Sequence, residues 1–579
     1  MHPERTPLLA DAPRRDSRES DRRAEEEDAA LHNTPLPTRT SRAREIALFT
    51  WALLATAAVI VLAVVVQHGR TTNPGYPAPP PQAASKKSNG KKNLVFMVSD
   101  GMGPASLSLT RSFRQVTEGL PIGDTLTLDK HFWGSSRTRS SSSFVTDSAA
   151  GATAFSCGKK SYNTAISMLP DFTPCGTVLE AAKRAGYATG LVVTTDITDA
   201  TPACFASHVY YRSQGDEIAL QEVGEGVLGR TVDLMLGGGR CHFLPNTTAG
   251  SCRFDDVDVT AIAQEKHGFT YVDDRAGFDA LALGKNVSLP VLGLFATADV
   301  PFEIDRRNMA NVYPSLSEMA LTALTALEEA TKDSDKGFFI MIEGSRIDHA
   351  GHVNDPAAQV REVLEYDKTF KLVLDFLAKS DTEGVLVATS DHETGGLALA
   401  LQAPGELPVY NWHPSVLAKA NASSEYLAHL LLERITTHQG DTEDELRHWI
   451  KTDLVRGYLG IHDALEVEIN ALASNPAAAI HTFARMVSLR ARIGWSTHGH
   501  SAVDVNVYSS GGPGTERIRG NVENTEVGGF LRDYLKVDVD AITKELRQKM
   551  KLGEPPLVAE EIAAADFGHS LEWMMEPSL

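Results

Sequence analysis

Residues Phe338–His352 read FFIMIEGSRIDHAGH, and the fold turns on how that stretch changes character. Five apolar residues, Phe338 to Ile342, make a short continuous run of the kind a strand buried on both faces needs. Glu343 closes the run, and the chain turns through Gly344 into polar sequence with Asp348 and His352 four residues apart. On a helix, positions i and i+4 share a face, so that carboxylate and imidazole can grip one cation together. Ligands of open α/β sheets sit beyond the carboxyl ends of the strands, which is where this pattern sets its charged groups. Two other stretches repeat it. Leu94–Val98 (LVFMV) leads through Ser99 to Asp100, and Val385–Thr389 (VLVAT) leads through Ser390 to Asp391 and His392. An acidic residue after a strand is often only a cap or turn residue; three such ends meeting in one cleft is the functional reading.

Around these stretches the strand-like runs Leu191–Thr195, Leu234–Leu236 and Val291–Phe295 alternate with helical patterns such as Thr177–Ala185 and Ser315–Thr331. That alternation predicts an α/β fold, a three-layer α/β/α sandwich around a mostly parallel central sheet. Residues 400–490 break the rhythm with helical patterns at Glu425–Thr437, Glu443–Tyr458 and Pro476–Ala491. The last has Asn475 as N-cap and Pro476 at its first position. This region reads as an insertion or cap within a catalytic domain spanning 93–552; residues 553–579 form a tail with no interpretable motif.

The N-terminal part is different in kind. Residues 1–45 hold nine Arg and ten Asp or Glu, with too few apolar residues for a core. Within them Glu4-Arg5-Thr6-Pro7-Leu8-Leu9 fits the acidic-x-x-x-Leu-Leu pattern that vesicle adaptors read. Ile46–Val66 is 21 residues without a charge, enough to cross a hydrocarbon core of ~30 Å at ~1.5 Å per residue. Arg39, Arg42 and Arg44 flank its first end and Arg70 alone the other. The positive-inside rule then makes it a single-pass type II anchor with the N-terminus in the cytosol. Residues 67–92, with five prolines between Pro74 and Pro81, read as a semi-extended tether. Glycosylation acceptors at Asn246, Asn286 and Asn421 agree with a lumenal ectodomain. Cys241 and Cys252 enclose a loop that suits a disulfide in an oxidising lumen, while Cys157 and Cys204 read as core thiols. The net charge of −20 excludes nucleic acid as a partner.

A second chemical stretch runs from Val145 to Ala154, where small residues follow Ser148 and Gly158 stands where a helix can end. Ser148 then lies at a helix N-terminus, where free N–H groups and the dipole favour anions; its plainer reading is an N-cap. Asp199 and Thr201 follow, and then Arg212, a side chain able to clamp two phosphate oxygens, though a lone Arg is usually surface. His498 and His500 precede a last strand-like run. Histidine with carboxylate suits zinc, and carboxylate with hydroxyl suits magnesium. Two divalent ions ~3.5–4 Å apart stabilise both oxygens of an in-line phosphoryl displacement.

The segments Ser99–Gly103, Thr146–Ala150, Thr198–Ala203, Glu343–His352, Ser390–Gly396 and Thr497–His500 resemble, in order, the successive motifs of alkaline phosphatases, over about Asn93 to Val507. With its tail and anchor the chain is most similar to the fungal vacuolar members, which implies the vacuole membrane. The resemblance implies Ser148 as nucleophile, forming a phosphoserine. It implies one zinc on Asp348, His352 and His500, and another on Asp100, Asp391 and His392. Asp100, Thr201 and Glu343 would hold magnesium, with Asp199 beside it. Arg212, Asp199 and His349 would face a small phosphomonoester substrate, and a homodimer is implied. Bacterial members have Asp and Lys at the positions of Asp199 and His349, and animal members have His at both, so this pairing leaves the third metal open. His498 remains an alternative to His500. The rival readings are a phosphodiesterase or phosphotransferase on the same framework, and a lumenal binding module with a degenerate site.

Overall fold

The run Phe338–Glu343 is the sixth strand of a ten-stranded sheet. The computed structural model describes residues 49–61 and 90–550. Its strands are β1 (Lys92–Val98), β2 (Phe132–Arg137), β3 (Ala188–Asp196), β4 (Leu234–Gly238), β5 (Thr270–Val272) and β6 (Val291–Leu294), then β7 (Phe338–Glu343), β8 (Glu383–Thr389), β9 (Glu393–Thr394), β10 (His500–Ser501), β11 (Val505–Ser509) and β12 (Gly520–Glu523). The large sheet has the order β12-β2-β11-β8-β1-β7-β3-β4-β6-β5. β7 pairs in parallel with β1 and β3, and β8 pairs in parallel with β1. Among the described strands, β11 runs antiparallel to both neighbours.

Burial on both faces explains the unbroken apolar runs. From β7, Phe339 and Met341 enter one core with Leu94 and Phe96 of β1; Phe338, Ile340 and Ile342 enter the other with Val95 and Met97. The helices used below are α1 (Ser148–Cys157), α2 (Val178–Arg184), α3 (Ala200–Ala206), α4 (Leu316–Ala330), α5 (Arg346–His352), α6 (Pro356–Lys379), α7 (Ser424–Thr437), α8 (Ala479–Ala491) and α9 (Asn524–Leu535). α2 and α9 cover the first face, α4 and α6 the second, which gives the expected three layers. Capping boxes at Thr177/Glu180 and Ser315/Glu318 start α2 and α4. The helical stretch after residue 400 packs Leu417, Leu427, Leu454 and Phe483 into a third core that it shares with Ala350 of α5 and Val360 of α6.

Three expectations need correction. β2, β5 and β12 went unanticipated because FWGSSR, TYV and GNVE lie at or near the sheet edges, half exposed, and carry no apolar run. Asn475 does not N-cap an α-helix. Its N–H closes the preceding helix onto the Ala471 carbonyl, its side chain makes no cap hydrogen bond, and Pro476–Ala478 is a 3-10 turn before α8. Cys157 is no core thiol: it is joined to Cys175 with their Cα atoms 6.0 Å apart, because the chain after α1 folds back onto its end. Cys241 and Cys252 are joined as expected, and Cys204 is free and buried.

Of the expected membrane span, residues 49–61 are described and form a helix with Phe49, Trp51, Leu54 and Ile60 exposed. No helix among the described residues is long and apolar enough to cross a membrane. The rest of the span, the tail with Glu4–Leu9, nearly all of the tether and residues 553–579 lie outside the described residues.

Candidate active site

The central strands deliver their carboxylates to one edge. Asp100 follows β1, Glu343 ends β7 and Asp391 follows β8, and these three strands are neighbours in the order β8-β1-β7. The turn after β1 must pass very close to α5. Gly101 has φ 71°, and a Cβ on it would lie 2.6 Å from the Asp348 Cα, so both the left-handed conformation and the approach require glycine.

α5 places Asp348 and His352 on one face as the spacing predicts, with His352 Nε2 3.2 Å from Asp348 Oδ2. His500 Nε2 comes within 3.1 Å of His352 Nε2. The His500 Nδ1 lies 2.8 Å from the Thr146 carbonyl, and the His352 Nδ1 meets the carbonyl of His498. A carbonyl only accepts, so each ring donates its Nδ1–H and turns Nε2 toward the other. Two such nitrogens facing each other beside a carboxylate are favourable only with a cation or a proton between them. His498 points its Nδ1 at the His352 carbonyl, 2.8 Å away, and it is His500 that groups with Asp348 and His392.

The second cluster meets Ser148 through one nitrogen. His392 Nε2 lies 3.1 Å from Asp391 Oδ2, 3.5 Å from Asp100 Oδ1 and 3.0 Å from Ser148 Oγ. Ser148 is the first residue of α1, not its cap. Asp147 caps the helix by accepting from the Ala150 N–H at 2.9 Å, which leaves the Ser148 hydroxyl to His392. Thr394, which sequence reasoning left without a role, donates its hydroxyl to Asp348 Oδ1 and lies 3.2 Å from His392 Nδ1.

Glu343 and Thr201 supply oxygen donors nearby. Ser345 donates to Glu343 Oε2 at 2.7 Å. Thr201 Oγ1, Asp100 Oδ1 and Asp391 Oδ2 are buried and make no hydrogen bond. Burial, then the charges of Asp391 and Asp348, push Asp100 well above the usual carboxylate range. Burial with Asp199 pushes Glu343 up to about 8. On the far side, burial and then the His392 charge press His500 down to about 3. Buried carboxylates with orphaned oxygens, beside histidines turned lone pair to lone pair, form a donor set that fits divalent cations. Cys241, Cys252 and His242 also lie close together, but the two sulfurs are bonded to each other.

Arg212 is largely covered rather than on the open surface, its side chain 12% exposed. It donates from Nη2 to Asp199 Oδ1 at 2.7 Å, with Nη1 3.7 Å from Asp147 Oδ2. His349 Nδ1 lies 2.9 Å from Asp299 Oδ2. Arg346 stands 3.4 Å from the same oxygen and donates to Glu425 of α7 at 2.7 Å. Burial opposes its charge, yet His349 and Arg346 hold the Asp299 carboxyl down to about 2. Asp299 and Glu425 carry no motif, and only folding brings them to Arg346 and His349.

The alkaline phosphatase family model matches residues 91–537. The chain is 53% identical over 485 residues to the repressible alkaline phosphatase of Saccharomyces cerevisiae, covering 80% of this chain and 85% of that one. It is 48% identical over 476 residues to the alkaline phosphatase of Schizosaccharomyces pombe, covering 81% and 86%. The solved alkaline phosphatase of Thermus thermophilus superposes with a TM-score of 0.64 at 27% identity, over 81% of this chain and 98% of that one.

Proposed function

The chain belongs to the alkaline phosphatase family and is a phosphomonoester hydrolase, and from that premise we propose that it works through a phosphoserine on Ser148. The observation that carries this reading is the 3.0 Å contact of Ser148 Oγ with His392 Nε2, the nitrogen that the Asp100–Asp391 cluster surrounds. We assign Asp100, Asp391 and His392 to one zinc, Asp348, His352 and His500 to another, and Asp100, Thr201 and Glu343 to magnesium. Such cations, when bound, lower the pKa of the serine hydroxyl and of water and offset charge on the phosphoryl oxygens. The residues do the rest. Asp147 holds the first turn of α1 so that its free N–H groups and the Ser148 hydroxyl face the phosphoryl group. Arg212 binds two of its oxygens while Asp199 fixes the guanidinium. Ser148 Oγ attacks phosphorus as the ester oxygen departs; water then attacks the same phosphorus, releasing phosphate and restoring the hydroxyl. Asp199 and His349 lie on the substrate side in this reading.

We place this domain, residues 93–552, in the lumen behind a type II anchor at 46–66, in the vacuole membrane. Support comes from the exposed apolar helix at 49–61, the two disulfides, and the exposure of Asn246, Asn286 and Asn421. A homodimer is part of the same reading.

The test uses the purified full chain with 4-nitrophenyl phosphate, with metals counted by mass spectrometry before and after chelation. Zinc and magnesium together should restore the activity that a chelator removes, and Ser148→Ala should lose ~10³-fold or more of kcat with its metals retained. Full activity in Ser148→Ala would refute the phosphoserine.

A further inference from the structure

We infer that Thr164, at the middle of the strap closed by the Cys157–Cys175 disulfide, is a positioning residue for Arg212. The strap leaves the end of α1 and folds back along it to return to the same helix end. Thr164 sits within it at φ 75°, a left-handed conformation that a β-branched residue rarely adopts. Such an outlier persists only where its surroundings over-determine it, and here both of its peptide groups are committed. Its N–H donates to Asp147 Oδ2 at 2.8 Å, and its carbonyl accepts from the Arg212 N–H at 2.8 Å. One strained residue thus ties the cap of the nucleophile helix to the backbone of the phosphate clamp.

The neighbours reinforce the tie. Asn163 donates to the Val145 carbonyl at 3.2 Å and accepts from the Asp147 N–H at 3.4 Å. Ile166 and Val209 exchange backbone hydrogen bonds at 3.1 and 3.2 Å, so the strap and the segment leading to Arg212 run as a short antiparallel ribbon. The Thr164 hydroxyl is buried and makes no hydrogen bond. The backbone, not the side chain, is therefore what the site uses. Thr164 sets where Arg212 stands relative to Ser148, and so how well the phosphoryl group is held.

The inference rests on Arg212 as the phosphoryl clamp, so Arg212→Ala is measured first; an unchanged inhibition constant for inorganic phosphate there would refute the clamp itself. Thr164→Pro removes the N–H and the left-handed φ together. It should raise KM and the phosphate inhibition constant together by about tenfold, with kcat changing less than about threefold. Thr164→Gly, which keeps the backbone geometry without its side chain, should stay within about twofold of wild type. In the Arg212→Ala background, Thr164→Pro should add less than about twofold. An equal loss in that background, or wild-type phosphate affinity in folded Thr164→Pro, overturns the inference. If melting shows that the proline variant does not fold, Asn163→Ala replaces it in the same assay. An increase of about threefold in the phosphate constant is then expected, and no increase overturns the inference.

Discussion

Thr394 shows how a single hydroxyl can govern a buried site. It donates to Asp348 and lies 3.2 Å from His392 Nδ1, so it accepts the Nδ1–H and leaves His392 Nε2 turned toward Ser148. Thr394→Val keeps the shape and removes both bonds. Zinc affinity should fall ~10–100-fold, read by competition against a chromogenic chelator; an unchanged affinity would rule out this orienting role. Glu343 gives a pH signature at the same scale. Burial and Asp199 hold its carboxyl protonated up to about 8, so a cation bound there must displace a proton. Magnesium affinity should therefore drop by about tenfold per pH unit below 8 and level off above it. Titration calorimetry across that range checks this; a flat profile from pH 6 to 9 would remove Glu343 from the ligands.

The elements that carry the site meet at their ends, and the turn after β1 meets α5 with no space to spare. Gly101 is wedged against Asp348 with no room for a Cβ. Gly101→Ala must either push α5 away or abandon its φ of 71°. The expected outcome is loss of metal from the Asp348 cluster with strands and helices retained, seen as lower zinc content at an unchanged far-ultraviolet dichroism spectrum. α1 was legible in outline from the small residues after Ser148 and from Gly158, which does end it at φ 69°. Which residue caps it was not, since Asp147 and Ser148 are both good caps and only packing against His392 assigns the hydroxyl elsewhere.

At the scale of the molecule, the strap from Cys157 to Cys175 backs α1, and its disulfide limits how far the unfolded chain can expand. Replacing both cysteines by serine should cost about 3 kcal/mol, measured by denaturant unfolding of the purified protein. A variant as stable as wild type would mean that the strap is held by its hydrogen bonds alone. The helical region after residue 400 is bound to the site twice, by the core it shares with Ala350 of α5 and by Glu425 of α7, which pairs with buried Arg346.

The sequence by itself determined the parallel sheet, since strands buried on both faces must be continuously apolar, and it singled out the carboxylates and histidines that the fold brings together, since their spacings and motifs are local. Asp348 and His352 needed only one helix turn, and the family motifs run in chain order. Tertiary structure alone decided the rest: the pairing of Cys157 with Cys175, the strands β2, β5 and β12 at or near the sheet edges, Thr394 as the hydroxyl between Asp348 and His392, and the chain from His349 through Asp299 and Arg346 to Glu425. Each joins residues far apart in the chain or depends on packing at a sheet edge, where local composition carries no periodic signal. A pattern records which face a side chain takes; what it meets there depends on how distant segments close around it.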